Sequence, residues 1–206
     1  MFKKLGEVEV SIWITLAALI VLAVVLMKQK KWSTRMLVTA SICIALGFVL
    51  SCIRLYRMPQ GGSITAFSML PVMFFAYLFG PVPGLFAGAV YGLLQLVQGF
   101  YAAHPAALIL DYILAYTALG LAGFFPKHFW MGISAAAIGR LVFHVLSGIL
   151  FFADATPEGQ TAFGYSFGYN ATYILPEAAL CILVIILPPV KKALARLRIQ
   201  TVGLKR

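Results

Sequence analysis

About seven apolar runs of bilayer-spanning length follow one another along this chain, separated by short polar or Gly/Pro-rich breaks. A run must hold about 20 residues to cross a hydrocarbon core of about 30 Å. The runs are roughly 10–27, 36–53, 64–79, 84–100, 104–123, 129–152 and 165–187. Spans of this kind predict an all-α, polytopic membrane protein, because a helix satisfies its own backbone in lipid. The composition agrees: 62% of the 206 residues are hydrophobic and 11% charged. No polar stretch is long enough for an aqueous domain.

The charges set topology. Sixteen basic and six acidic residues give a formal net charge of +10, which in a soluble chain would point to nucleic acid. Here the basic residues cluster beside the apolar runs, so no nucleic-acid partner is expected. Lys28, Lys30, Lys31, Arg35, Lys127, Lys191, Lys192, Arg196 and Arg198 fall on one side of a seven-span arrangement. That side is predicted cytoplasmic, with the N-terminus outside and the C-terminus in the cytoplasm. Lys3, Lys4, Arg54 and Arg57 are exceptions; the two arginines either face a ligand or snorkel to headgroups. Three regions follow: an extra transmembrane helix and basic loop over 1–35, a membrane core over 36–190, and a basic cytoplasmic tail over 191–206. The first run ends in Lys28–Lys31 with no small-residue cleavage pattern, so it is expected to stay as a helix. Cys43, Cys52 and Cys181 lack metal-ligand or disulfide spacing, and no metal or cofactor is expected.

Asp111 stands inside the fifth run. An aspartate at the centre of a lipid-facing helix costs about 2.5–3.5 kcal/mol, so it should face protein, water or a ligand. Pro105 suits the first helical position, which puts Asp111 about 9 Å below that end at about 1.5 Å per residue. The alternative is a structural aspartate paired with a basic residue of a neighbouring helix. In the sixth run Arg140, His144, Gly148 and Phe152 recur every four residues and share one stripe. In the seventh, Asn170, Tyr173 and Glu177 share one face. Arg140 and Glu177 are expected at one depth as a structural ion pair. Nearer the outside, Asp111, Tyr112, His144 and Asn170, with Tyr165 and Phe152 at the rim, combine an anion, hydrogen-bonding groups and aromatic rings. That mixture suits a small flat cation. Taken alone, His144 could equally be a satisfied interhelical histidine.

Gly84, Gly88 and Gly92 at steps of four read as a close-packing face. Ser41 with Ala45, and Gly47 with Ser51, are further small-residue pairs that either pack internally or dock a partner. No phosphate-cradling loop, Cys-x-x-Cys or His-Glu-x-x-His pattern occurs, so an enzyme is not expected. A proton-coupled carrier using Asp111, His144 and Glu177 stays open, and an intramembrane enzyme fits less well because no nucleophile–base pair stands out.

Four stretches in order carry a resemblance: Pro59–Ser63; His104-Pro105 with Leu110-Asp111-Tyr112; Arg140 to Gly148; and Tyr165 to Tyr173 with Pro176. From Met36 onward the chain resembles the thiamine-specific S components (the ThiT/YuaJ family) of energy-coupling factor (ECF) transporters. The resemblance implies a six-helix substrate-binding core that takes thiamine from outside. It also implies a shared transmembrane coupling protein and two cytoplasmic ATPase subunits as partners. The ligand could instead be a thiamine precursor or another vitamin. The family's pocket residues fall on Asp111, Tyr112, His144, Gly148, Phe152, Tyr165 and Asn170, with Tyr101 ahead of them. Its docking motif for the coupling protein falls on Ser41 and Ala45. The chain departs from the family in three places. Asp111 stands where glutamate can occur, Phe152 where tryptophan can, and the helix over 10–27 lies outside the core.

Overall fold

The computed structural model describes residues 32–59, 61–99 and 104–203. The extra helix expected over 10–27 lies outside the described residues, as does Tyr101. Within them the chain forms seven helices and one small hairpin, a mostly helical membrane protein. Helix α1 is Thr34–Cys52, followed by strands β1 (Arg54–Arg57) and β2 (Ser63–Thr65). Helices α2 (Leu70–Phe79) and α3 (Pro81–Gln95) come next. They are followed by α4 (Pro105–Phe124), α5 (Phe129–Phe151), α6 (Ala162–Ile186) and α7 (Pro188–Gly203).

Four of these helices, α1, α4, α5 and α6, are long and apolar enough to cross a membrane. The third and fourth predicted spans are shorter than expected. At about 1.5 Å per residue, α2 reaches about 15 Å and α3 about 22 Å, less than the hydrocarbon thickness. The break between them has a local cause. Gly80 adopts φ +101°, a conformation side chains disfavour, and Pro81 then opens α3 where a missing N–H costs nothing. The start of the third span is not helical either. β1 and β2 pair antiparallel, with Arg54 opposite Thr65 and Arg57 opposite Ser63, an addition to the all-α expectation. Within the basic tail, the described residues up to Gly203 belong to the helix α7.

Helix α2 is the centre of the bundle. Val72, Met73, Phe75 and Ala76 are wholly buried, with Tyr91, Leu119, Ile133, Ile174 and Cys181 around them. The outer faces carry the reverse pattern: Ile42 and Val49 on α1, Ile138 and Val142 on α5, and Leu183 and Ile186 on α6 are all exposed. Apolar side chains in that position are those the bilayer covers.

The glycine stripe of α3 lies against α4 with no side-chain layer between them. A Cβ on Gly88 would sit 2.3 Å from the Tyr116 carbonyl oxygen, and one on Gly92 would sit 1.9 Å from that of Tyr112. Gly120 answers from α4, 2.2 Å from the Leu85 nitrogen in the same sense. Overpacking of about 1–3 kcal/mol should lower the Tm of Gly88→Val in detergent by about 5–10 °C. Gly168→Ala on the open face of α6, where nothing lies within 4 Å, should instead raise it by about 1–4 °C, since alanine gains about 0.5–1 kcal/mol of helix propensity. Thermal melts followed by size-exclusion chromatography check both.

Candidate ligand-binding cavity

One end of the bundle is hollow. There α1, α3 and α5 end, α4 and α6 begin, and the hairpin crosses above them. The cavity measures about 190 Å³, and its lining draws on all five of these helices and the hairpin. Arg35, Lys127, Lys191 and Lys192 all belong to the opposite end of the helices.

Helix α4 presents the acidic group. His104 caps its start, its Nδ1 accepting the Ala106 N–H at 3.1 Å, and Pro105 takes the first turn. The backbone then widens into a π-helical stretch over Ile109–Leu114, which contains Asp111 and Tyr112. Such stretches re-aim side chains and recur at functional sites. Asp111 faces inward, with its side chain 14% exposed. Its Oδ1 lies 2.9 Å from His144 Nδ1, and its Oδ2 accepts the Ser147 hydroxyl at 2.7 Å. Both partners come from α5, three residues apart on one face. The other ring nitrogen, His144 Nε2, accepts from Arg140 Nε at 3.3 Å.

Arg140 and Glu177 are not the ion pair expected from their depths. Among the described residues they do not come within the 4.0 Å of a salt bridge. The Arg140 guanidinium bonds the Tyr116 hydroxyl at 3.1 Å and lies 4.4 Å from the centre of that ring. Glu177, 1% exposed, is held instead by hydroxyls. Ser68 donates to its Oε1 at 2.9 Å, and Thr65 donates to the same oxygen. Two nearby hydroxyls from the hairpin and its link to α2 engage one oxygen of Glu177, and an imidazole and a phenol engage Nε and Nη2 of Arg140, so each is held by partners other than its fellow charge.

The hairpin closes over α6. Gly62 donates its N–H to the Tyr169 hydroxyl at 3.3 Å, and a Cβ there would be 2.6 Å from the Tyr173 ring. Tyr173 in turn donates to Asn170 Oδ1 at 2.6 Å, while Asn170 Nδ2 bonds the Ser166 carbonyl at 2.8 Å. Rings of Tyr169 and Tyr173, and of His144 and Tyr173, meet edge-on at 5.9 and 6.1 Å. At the other edge a polar ladder runs from Gln95 through Ser51 to Gln98, then to Arg54 at 3.1 Å.

A family model described as Thiamine transporter protein (Thia_YuaJ) matches residues 37–196. The chain belongs to this family. The Thiamine transporter ThiT of Bacillus subtilis (strain 168) is 34% identical over 180 residues, which is 78% of this chain and 93% of that protein. The Thiamine transporter ThiT of Lacticaseibacillus paracasei is 27% identical over 139 residues, 58% of this chain and 69% of that one. The solved structure of ThiT from Listeria monocytogenes superposes with a TM-score of 0.68 at 26% identity, covering 77% of this chain and 96% of that one.

In this Thia_YuaJ member the cavity gathers Asp111, Tyr112, His144, Gly148, Phe152, Tyr165 and Asn170, together with Arg140 and Glu177. Ser41 and Ala45 lie apart, both exposed on one outer face of α1. Several polar residues of the cavity escaped the sequence reading: Ser147, Thr65, Ser68, Tyr116 and Tyr169. Ser147 had a signal, standing three residues from His144 on the same face. Thr65 and Ser68 had none, because their segment reads as one more apolar span.

Gly148 is explained by helix approach. A Cβ there would lie 2.0 Å from Ser166 Oγ and 2.7 Å from Ser166 Cβ. Gly148→Ala should therefore lower the Tm by about 3–6 °C. In a Ser166→Gly background the same change should cost less than a third as much, and a double-mutant cycle of melts measures the difference.

Proposed function

We propose that this chain is the substrate-binding membrane subunit of an ECF-type importer and that it binds thiamine in the cavity described above. The observation that carries this reading is the Asp111 carboxylate, inside the hollow and oriented by His144 and Ser147 rather than neutralised by an arginine. The cavity lining holds two carboxylates, Asp111 and Glu177, and two guanidiniums, Arg140 engaged by Tyr116 and His144 and Arg54 exposed at the edge and bonded to Gln98, so among the described residues neither carboxylate is paired with an arginine. A flat monocation with a thiazolium ring and an aminopyrimidine complements such a site in charge and in its aromatic surfaces. Asp111 and Tyr112 would meet the charged or hydrogen-bonding part of the vitamin. His144, Asn170 and Tyr165 would complete the polar contacts, with Gly148 beside them in the lining. Phe152 would stack, and Tyr101 would contribute from the segment before α4.

The hollow end is assigned to the outside, because Arg35, Lys127, Lys191 and Lys192 belong to the opposite end, with Arg54 and Arg57 of the hairpin as exceptions. The extra N-terminal helix would stand outside the six-helix core, with the N-terminus outside. ATP hydrolysis would belong to two cytoplasmic subunits joined through a coupling protein. The exposed Ser41 and Ala45 face of α1 offers the small residues that a close helix contact requires.

Purified protein in detergent should bind thiamine saturably below micromolar concentration in calorimetry. Asp111→Asn should weaken binding about a hundredfold, about 2.7 kcal/mol, with the Tm of the ligand-free protein held within about 3 °C. Absence of saturable binding by the unaltered protein, or an unchanged affinity in the variant, would reject the assignment. Competition with the separate pyrimidine and thiazole halves distinguishes thiamine from a precursor. Uptake into vesicles by this chain alone under a pH gradient would point instead to a proton-coupled carrier.

A further inference from the structure

Glu177 forms part of the cavity lining, and its two carboxylate oxygens stand in different situations. Oε1 takes the hydroxyls of both Thr65 and Ser68, which themselves lie 2.7 Å apart. Oε2 accepts no hydrogen bond from a described residue. Yet among the described residues no buried side-chain oxygen or nitrogen is both sealed from solvent and without a partner. Oε2 therefore keeps an opening. Since the residue is only 1% exposed and lines the cavity, that opening is into the cavity.

The two hydroxyls fix the aim of this oxygen. They come from β2 and from the turn before α2, while the carboxylate comes from α6, so the group is clamped from two elements. A buried carboxylate oxygen with unused acceptor capacity is costly until a donor reaches it. Neither neighbouring donor reaches it: Arg140 gives Nε to His144 and Nη2 to Tyr116 and stays beyond salt-bridge distance of Glu177, and Tyr173 gives its hydroxyl to Asn170.

We propose that Glu177 Oε2, held by Thr65 and Ser68, is a second anionic contact of the cavity that reads an N–H or O–H donor on the bound cation. The proposal rests on the thiamine reading above and adds a specificity determinant to it. Asp111 and Glu177 would then hold the ligand at two points, which fixes its orientation as well as its charge. Thiamine offers two such donors, the exocyclic amine of its pyrimidine and the hydroxyl of its side arm. A site built around a buried acceptor discriminates against an analogue that lacks the donor, because the acceptor is then left unpaired.

Three ligands test this: thiamine, an analogue with the exocyclic amine replaced by hydrogen, and one with the side-arm hydroxyl replaced by hydrogen. Each is titrated calorimetrically into the unaltered protein, Glu177→Gln and Asp111→Asn. Glu177→Gln should weaken thiamine at least tenfold, yet match the unaltered protein within twofold for one analogue, which identifies the donor. Ser68→Ala, which loosens the clamp and keeps the carboxylate, should show the same ligand pattern at smaller size. It serves as the test if Glu177→Gln fails to fold. An equal loss for all three ligands would assign Glu177 a merely structural role, and an unchanged thiamine affinity would remove it from the site; either overturns the proposal. In both cases thiamine binding that still depends on Asp111 leaves the functional reading standing. A failure of the unaltered protein to bind thiamine overturns both.

Discussion

A carboxyl group inside an apolar bundle has to be met by donors, and the clasp of Asp111 by His144 and Ser147 is the contact around which this structure is arranged. Desolvating such a group costs several kcal/mol unless its lone pairs are occupied. Two bonds of 2.7–2.9 Å from one face of α5 supply that occupancy. They set the rotation of α4 against α5. The π-helical widening over Ile109–Leu114 lies in the same stretch. Arg140 continues the chain on the far side of His144, where the Tyr116 ring and hydroxyl receive it. A single line of polar contacts thus runs from α4 through α5 and back to α4.

The hollow itself is a product of short elements. Were α2 a full span, a column of side chains would fill the space beside Asp111. Instead α2 begins only at Leu70, and a thin two-stranded hairpin occupies the level above it. The same shortness makes α2 a plug. Its ten residues are mostly buried, and they close the bundle on the side away from the hairpin. Gly80 and Pro81 hold that arrangement by turning the chain where a continuous helix would otherwise run on.

Much of this was legible in the residues. The four long spans follow from their apolar runs, and the inward face of α5 from the four-residue step linking Arg140, His144 and Gly148. The stripe of α6 was readable in the same way: Asn170, Tyr173 and Glu177 are all buried on one side. What the residues did not show was partnership. Matching depths suggested Arg140 with Glu177, but depth fixes only one of three coordinates, and each found nearer partners. The hairpin was hidden for a different reason. Ser63–Phe79 is mostly apolar and carries no charge, and hydropathy cannot tell a strand followed by a short helix from one long helix. The chemistry of Thr65 and Ser68 was lost with it.

The clamp on Glu177 carries a consequence for how the molecule is made. Its hydroxyl donors lie 112 and 109 positions earlier in the chain. Five of the seven helices are synthesised before the carboxylate emerges. Contacts that remote form late, because the intervening chain must be ordered before they are rewarded. A nascent chain halted before α6 would already own Asp111 and its clasp, but its hollow would stand unfloored and open along one flank. Recognition in this protein is therefore a property of the completed polypeptide, conferred by its last long helix as that helix enters the bilayer.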